Sequence, residues 1–117
     1  LLEDLKQRGL SDETLVVVVG EMGRTPKFKN RGQQDGRDHW SYCFPCLLAG
    51  AGVRGGITYG ESDGDAAYPT AHPVSCEDLA ATVFHSLGIS PETRILNPQG
   101  RPVPVMEGGV PLTEIFG

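Results

Sequence analysis

Residues 15–19 read LVVVV, and residues 20–40 continue as GEMGRTPKFKNRGQQDGRDHW. The first run is mostly β-branched and shows no alternation between apolar and polar residues. This pattern is typical of a strand buried on both faces, as in a parallel sheet. Residues 1–8, LLEDLKQR, place Leu1, Leu2 and Leu5 on one helical face, and Gly9 suits the end of a helix. A helix that leads into such a strand predicts an α/β fold.

Three further segments extend this predicted architecture. Residues 43–49, CFPCLLA, read as a second buried strand, and residues 61–73 read as a long loop rich in Asp and Gly. Residues 75–87 give the clearest helix, because Ser75 and Asp78 form an S-x-x-D capping box and Gly88 follows as a stop. The predicted apolar stripe of this helix consists of Leu79, Ala80, Val83, Phe84 and Leu87.

The last part of the chain is predicted to be irregular. Its prolines exclude a central strand, and residues 95–105 suggest a small edge hairpin around NPQG. We therefore predict a core over residues 1–90 and an irregular tail over residues 91–117.

Composition limits the function classes. The chain has 117 residues, a net charge of −5 and a pI near 5.0, which argues against non-specific nucleic-acid binding. No apolar stretch approaches the roughly 18 residues of a membrane-spanning helix. The chain opens on LLEDLKQRGL without an initiator Met, so we expect it to be a fragment of a longer protein.

The three cysteines do not suggest a disulfide framework, because their number is odd. Cys43 and Cys46 stand in the motif CFPC, which is similar to a redox CxxC motif. On a strand, however, residues three apart lie about 10 Å from each other, too far for a disulfide. We interpret both as buried packing residues.

The glycine-rich segment after the LVVVV run is the candidate functional site. In open α/β sheets, ligands bind beyond the carboxyl ends of the strands, and Glu21 lies just beyond such an end. Glu21, Asp38 and His39 carry the side-chain types that hold a divalent metal. Arg24 and Arg37 carry the guanidinium groups that bind phosphate or sulfate.

Two alternatives stay open for these residues. GRDHW is also compatible with a tight turn that Asp38 caps and Trp40 anchors, since Asp and Gly are ordinary turn residues. His72, in YPTAHP, is a weaker site candidate, because a loop histidine between prolines is more often structural or solvated.

Five segments of the chain together resemble one known family. In order they are LVVVVGEMGRTP, GRDHW, FPCLLAGAGVRGG, AYPTAHPVSCEDLAATVFHSLGI and GRPVP. They resemble the C-terminal part of the domain-of-unknown-function-1501 (DUF1501) family, whose members are placed in the alkaline phosphatase and sulfatase superfamily. The resemblance implies that residues 1–117 are a single C-terminal portion of a larger alkaline-phosphatase-like domain. That domain would be a three-layer α/β sandwich with a mostly parallel buried sheet.

The same resemblance implies roles for individual residues. In that superfamily a strand ends in an Asp-His metal pair, and a later segment supplies another metal-ligating His. By position, Glu21 replaces the Asp of the pair, Met22 replaces its His, and His39 matches the later ligand. Met22 is a departure, because a thioether is a poor ligand for Zn²⁺, Mn²⁺ or Mg²⁺. The nucleophile of the superfamily would lie upstream of this chain.

The resemblance leads to two functional hypotheses. The first is a fragment of a metal-dependent hydrolase of phosphate or sulfate esters that uses zinc, manganese or calcium. The second is a non-catalytic relative with an eroded metal site, which binds a sulfated or phosphorylated glycan at the cell envelope. In both, the parent protein is expected to be exported. A third alternative is that the fragment alone lacks half of its sheet and oligomerises through an exposed sheet edge, so that any site belongs to the parent protein only.

Overall fold

The structure is a computed structural model, and it describes residues 1–29 and 36–117. The chain divides into two compact units. The first unit contains Leu1–Leu15, Ala49–Ile57 and Val74–Gly117. The second unit contains Val16–Leu48 and Thr58–Pro73. The assignment of the chain to one portion of a larger domain stays a prediction.

Two α-helices of the described residues belong to the first unit, and both were expected from local sequence signals. A short 3-10 helix, Thr113–Ile115, lies in the same unit. Helix α1 spans Leu2–Gln7, and Gly9 follows it with a φ of +69°. Helix α2 spans Cys76–Ser86, and Ser75 and Asp78 form the predicted reciprocal capping box. The Ser75 N–H donates to Asp78 Oδ2 and the Asp78 N–H donates to Ser75 Oγ, each at 3.0 Å. Neither helix, within the described residues, is long and apolar enough to cross a membrane.

Residues 108–117, here called the C-terminal clasp, bind along helix α2. The Val110 N–H donates to Asp78 Oδ1 at 2.7 Å, and the Leu112 N–H donates to Thr82 Oγ1 at 3.0 Å. The hydroxyl of Thr82 in turn donates to the Asp78 carbonyl oxygen at 2.7 Å. Thr82 and Ala81 are fully buried. The clasp therefore supplies hydrogen-bond partners to a helix face that is partly polar.

The strands are short, and within the described part of the chain each has one partner. They are β1 (Val16–Val19) with β4 (Cys46–Ala49), β2 (Gly23–Arg24) with β3 (His39–Trp40), β5 (Glu61–Ser62) with β6 (Pro69–Ala71), and β7 (Arg94–Leu96) with β8 (Pro102–Pro104). The last three pairs are antiparallel. The β7–β8 pair confirms the hairpin expected around NPQG.

The predicted fold class is wrong for the described part of the chain. Neither a parallel buried sheet nor a three-layer α/β sandwich is present there, because the strands form separate two-stranded pairs. The valines of β1 show why: Val17, Val18 and Val19 are 36%, 59% and 44% exposed. An uninterrupted apolar run indicates a strand that can be covered on both faces, but covering it needs layers above and below. Among residues 1–29 and 36–117, β1 pairs with β4 alone.

Two local predictions are also corrected. Residues 61–73 are not one long loop, since they contain the β5–β6 pair, in which Asp63 organises the connecting turn. Its carboxylate oxygen Oδ1 accepts from the Ala67 N–H at 2.7 Å. The two cysteines of CFPC are not buried packing residues, because Cys46 is exposed and Cys43 only half-buried. Cys43, Cys46 and Cys76 are all free thiols.

Candidate functional site

The candidate site is organised by the antiparallel pairing of β2 with β3, which lies in the second unit. Gly23 is opposite Trp40, and Arg24 is opposite His39. A side chain at position 23 would collide with the chain, because a Cβ there would lie 2.3 Å from the Cys43 carbonyl oxygen and 2.9 Å from that of Trp40. Glycine at this position therefore permits the close approach that fixes the register.

The register places Arg24 and His39 side by side. Residues directly opposite each other in an antiparallel pair project from the same face, with Cβ atoms roughly 4.5–5.5 Å apart. Both residues are exposed. The pairing continues one position further, where the Thr25 N–H donates to the Asp38 carbonyl oxygen at 2.9 Å. The β2–β3 pair thus presents a guanidinium and an imidazole together to solvent.

Asp38 is occupied by contacts within the chain. Lys29 Nζ forms an ion pair with Asp38 Oδ2, and the Asp38 N–H donates to Thr25 Oγ1 at 3.1 Å. Both charged side chains of the ion pair are about half exposed, so the pair contributes about 0–1 kcal/mol to stability. Its main consequence is local: the Lys29 charge is neutralised, and the Asp38 carboxylate is oriented towards it.

The remaining predicted residues lie around this pair. Glu21 is exposed and stands two residues before β2, and Met22 is half-buried. The Arg37 guanidinium lies over the Phe28 ring, 5.6 Å from its centroid. Among the described residues, no hydrogen bond, ion pair or ring contact joins Arg37 to Arg24 or His39. The structure therefore brings Arg24 and His39 together and holds Arg37 separately.

His72 has a different setting from the β2–β3 pair. Its ring contacts that of Tyr59, with centroids 5.3 Å apart, and its backbone has a φ of +45°, a conformation unusual for a residue with a side chain. Its carbonyl oxygen approaches Gly60 so closely that a Cβ there would lie 2.9 Å away. His72 thus lies in a bend beside Tyr59 and Gly60, and its role as a weaker site candidate stays a prediction.

Metal binding by Glu21, Asp38 and His39 stays a prediction. Within residues 1–29 and 36–117, no group of three or more His, Cys, Asp or Glu side chains is arranged to hold a metal ion. Donors from outside the described residues would be needed to complete such a site.

The sequence reasoning did not identify a cluster of three aromatic side chains in the second unit. Trp40, Tyr42 and Tyr68 contact one another, with ring centroids 5.0–5.6 Å apart. The Trp40 indole N–H donates to the Ala67 carbonyl oxygen at 2.7 Å. One signal was visible in the sequence, because Trp40 and Tyr42 are two residues apart and such residues share a strand face. Tyr68 comes from the β5–β6 turn and carried no such signal.

Comparison with known proteins gives one match. A family model described as "Protein of unknown function (DUF1501)" matches residues 1–116. Neither a curated protein nor a solved structure matches the chain.

Proposed function

The chain belongs to the DUF1501 family of proteins of unknown function, and from this premise we propose that it binds the phosphate or sulfate group of an anionic ester or glycan. The proposed binding residues are Arg24 and His39, on the exposed face of the β2–β3 pair. The observation that carries the proposal is their cross-strand register, which supports two neighbouring groups that can both donate hydrogen bonds to an oxyanion.

The chemistry of these side chains suits an oxyanion. A guanidinium offers five N–H donors in a planar fork that matches two oxygens of a phosphate or sulfate group. An imidazole adds a further N–H donor. The Lys29 charge is already neutralised by Asp38, whereas Arg24 supplies a cationic charge directly opposite His39. Because the chain carries a net charge of −5, attraction must come from such local cations and should weaken with added salt.

Metal-dependent hydrolysis of the same esters is the second candidate. It is favoured by the exposure of Glu21 and His39, one just before β2 and the other on β3. If further donors complete a site, these residues and Asp38 would hold zinc, manganese or calcium, which would polarise the ester oxygen as a Lewis acid. Membership of the alkaline phosphatase and sulfatase superfamily, and export to the cell envelope, are proposals of the same kind.

The binding proposal is tested by calorimetric titration of the 117-residue chain with inorganic sulfate and inorganic phosphate at low ionic strength. Arg24→Gln should weaken binding by about tenfold or more, because a charge-assisted hydrogen bond is lost. Arg101→Gln is the matched control, since it removes the same charge from an exposed arginine in the first unit. Equal affinities for the two variants, or no saturable binding by the unchanged chain, would overturn the proposal.

The same samples distinguish binding from hydrolysis. Release of nitrophenol from 4-nitrophenyl phosphate or sulfate, abolished by a chelator and by His39→Ala, would favour the hydrolase. In that case metal content measured by plasma mass spectrometry should also fall in the His39→Ala variant. Anion binding without turnover, unchanged by chelator, would favour a non-catalytic binding protein.

A further inference from the structure

We infer that the aromatic cluster of Trp40, Tyr42 and Tyr68 stacks against the sugar rings of a neutral carbohydrate. This site is separate from the proposed anion site. Consecutive residues of a strand point to opposite faces, so Trp40 and His39 lie on opposite sides of β3. Carbohydrate binding by the aromatic cluster is therefore independent of anion binding by Arg24 and His39.

The exposure of the cluster is the first observation that points to a ligand. Tyr42 is 61% exposed and Tyr68 is 48% exposed, although their rings contact each other and Trp40. Aromatic side chains bury large apolar areas when they serve the core of a protein. These rings instead leave much of their surface to solvent, where they can receive the C–H bonds of a sugar ring.

The cluster is also pre-organised. The hydrogen bond from the Trp40 indole to the Ala67 carbonyl oxygen fixes the indole plane. The turn that carries Ala67 and Tyr68 is fixed in turn by Asp63, whose N–H donates to the Tyr68 carbonyl oxygen at 2.9 Å. Opposite Trp40, Gly23 contributes no side chain that could cover the indole from the neighbouring strand. Little conformational entropy would be lost when a ligand binds to rings held in this way.

The polar groups favour a carbohydrate over other flat or apolar ligands. Among the described residues, the hydroxyls of Tyr42 and Tyr68 have no hydrogen-bond partner. A phenol hydroxyl both donates and accepts, which suits a ligand covered in hydroxyl groups. The prolines of a proline-rich peptide offer carbonyl acceptors and no N–H donor, so they would match only the donor capacity of the two hydroxyls. A nucleic acid is disfavoured by the net charge of −5.

Trp40 provides a direct readout, because it is the single tryptophan of the chain. Its fluorescence is followed while the chain is titrated with cellohexaose, chitohexaose and mannohexaose, with calorimetry as the second measurement. At least one of these neutral oligosaccharides should give a saturable change in emission. Tyr42→Ala and Tyr68→Ala should each weaken that binding by about tenfold, the loss expected when one stacking partner is removed.

Two further variants separate stacking from other effects. Tyr68→Phe keeps the ring and removes the hydroxyl, so it should bind more tightly than Tyr68→Ala and guards against a simple loss of folding. Leu96→Ala removes an exposed apolar side chain from the first unit and should leave the affinity unchanged. The inference is overturned if none of the three oligosaccharides binds, or if binding survives both tyrosine-to-alanine changes. Saturable binding of a proline-rich decapeptide in place of a sugar would overturn it as well.

Discussion

Alanine at position 109 should detach the C-terminal clasp from helix α2, whereas alanine at position 108 should not. Both glycines have positive φ values, +74° at Gly108 and +82° at Gly109. Either substitution therefore costs about 1–2 kcal/mol in backbone strain. The two positions differ in their surroundings, so their comparison isolates the contact with the helix.

The difference follows from the space around each Cβ. At Gly108 an added Cβ meets nothing within 4 Å. At Gly109 it would lie 2.2 Å from the carbonyl oxygen of Glu77, in the first turn of α2, where the backbone cannot move aside alone. The clasp must move instead, and the hydrogen bond from Val110 to the Asp78 carboxylate is lost. A hydrogen bond to a charged group contributes about 1.5–3 kcal/mol, and the bond between Leu112 and Thr82 adds about 0.5–1.5 kcal/mol.

We therefore expect Gly109→Ala to reduce the free energy of unfolding by about 2–4 kcal/mol more than Gly108→Ala. Urea denaturation followed by far-ultraviolet circular dichroism measures this difference, because α2 is the longest helix described. Combining Gly109→Ala with Asp78→Asn should cost less than the sum of the two single changes, since both weaken the contact between Val110 and the side chain at position 78. Equal stabilities of the two alanine variants, or full additivity with Asp78→Asn, would refute the role given to the clasp.

Two further predictions concern the same helix. The backbone N–H groups of Ser75 and Val110, together with the Ser75 side chain, lower the pKa of the Asp78 carboxyl. The ionised Asp78 carboxylate therefore stabilises the folded chain at pH values above its unfolded pKa of about 3.9. This stabilisation is lost as the pH falls through the pKa that Asp78 has in the folded chain, which is lower. Asp78→Asn should flatten acid denaturation in this range, and an unchanged pH profile would contradict the assignment. Thr82→Val should lower the free energy of unfolding by about 1–3 kcal/mol, because it leaves the Leu112 N–H without its acceptor. Thr82→Ser is the control that keeps the hydroxyl, and urea denaturation should rank it as the more stable of the two.

Local signals in the sequence predicted local structure well. The capping box of α2 and the glycine after it lie within a few residues of the backbone groups they satisfy, so the helix could be located without any tertiary information. The buried face of α2 was harder to predict. The apolar stripe included Leu87, which is 65% exposed, while Thr82 is fully buried because the clasp binds its hydroxyl. A contact from thirty residues away decided which face is covered.

The fold class failed for a related reason. The valine run indicates that the strand is apolar, but it does not indicate how many strands pair with it or how many layers cover it. The candidate site shows the same limit. The glycine-rich charged segment was identified from composition, yet the pairing of Arg24 with His39 depends on strand register across intervening residues. The ion pair that engages Asp38 with Lys29 also joins positions that no short motif relates.

In the register that Gly23 permits, the charged side chains and the Trp40 side chain lie on opposite faces of the β2–β3 pair. Arg24 and His39 face one way and Trp40 faces the other, so a mutation that alters the charged face leaves the aromatic face intact. Deleting one residue within the pair would exchange the two faces, because side-chain direction alternates along a strand. An anion and a sugar would consequently not compete for the same space. Each face could be redesigned alone. A ligand that carries both an anionic group and a sugar ring would have to extend around the edge of the β2–β3 pair to contact both faces.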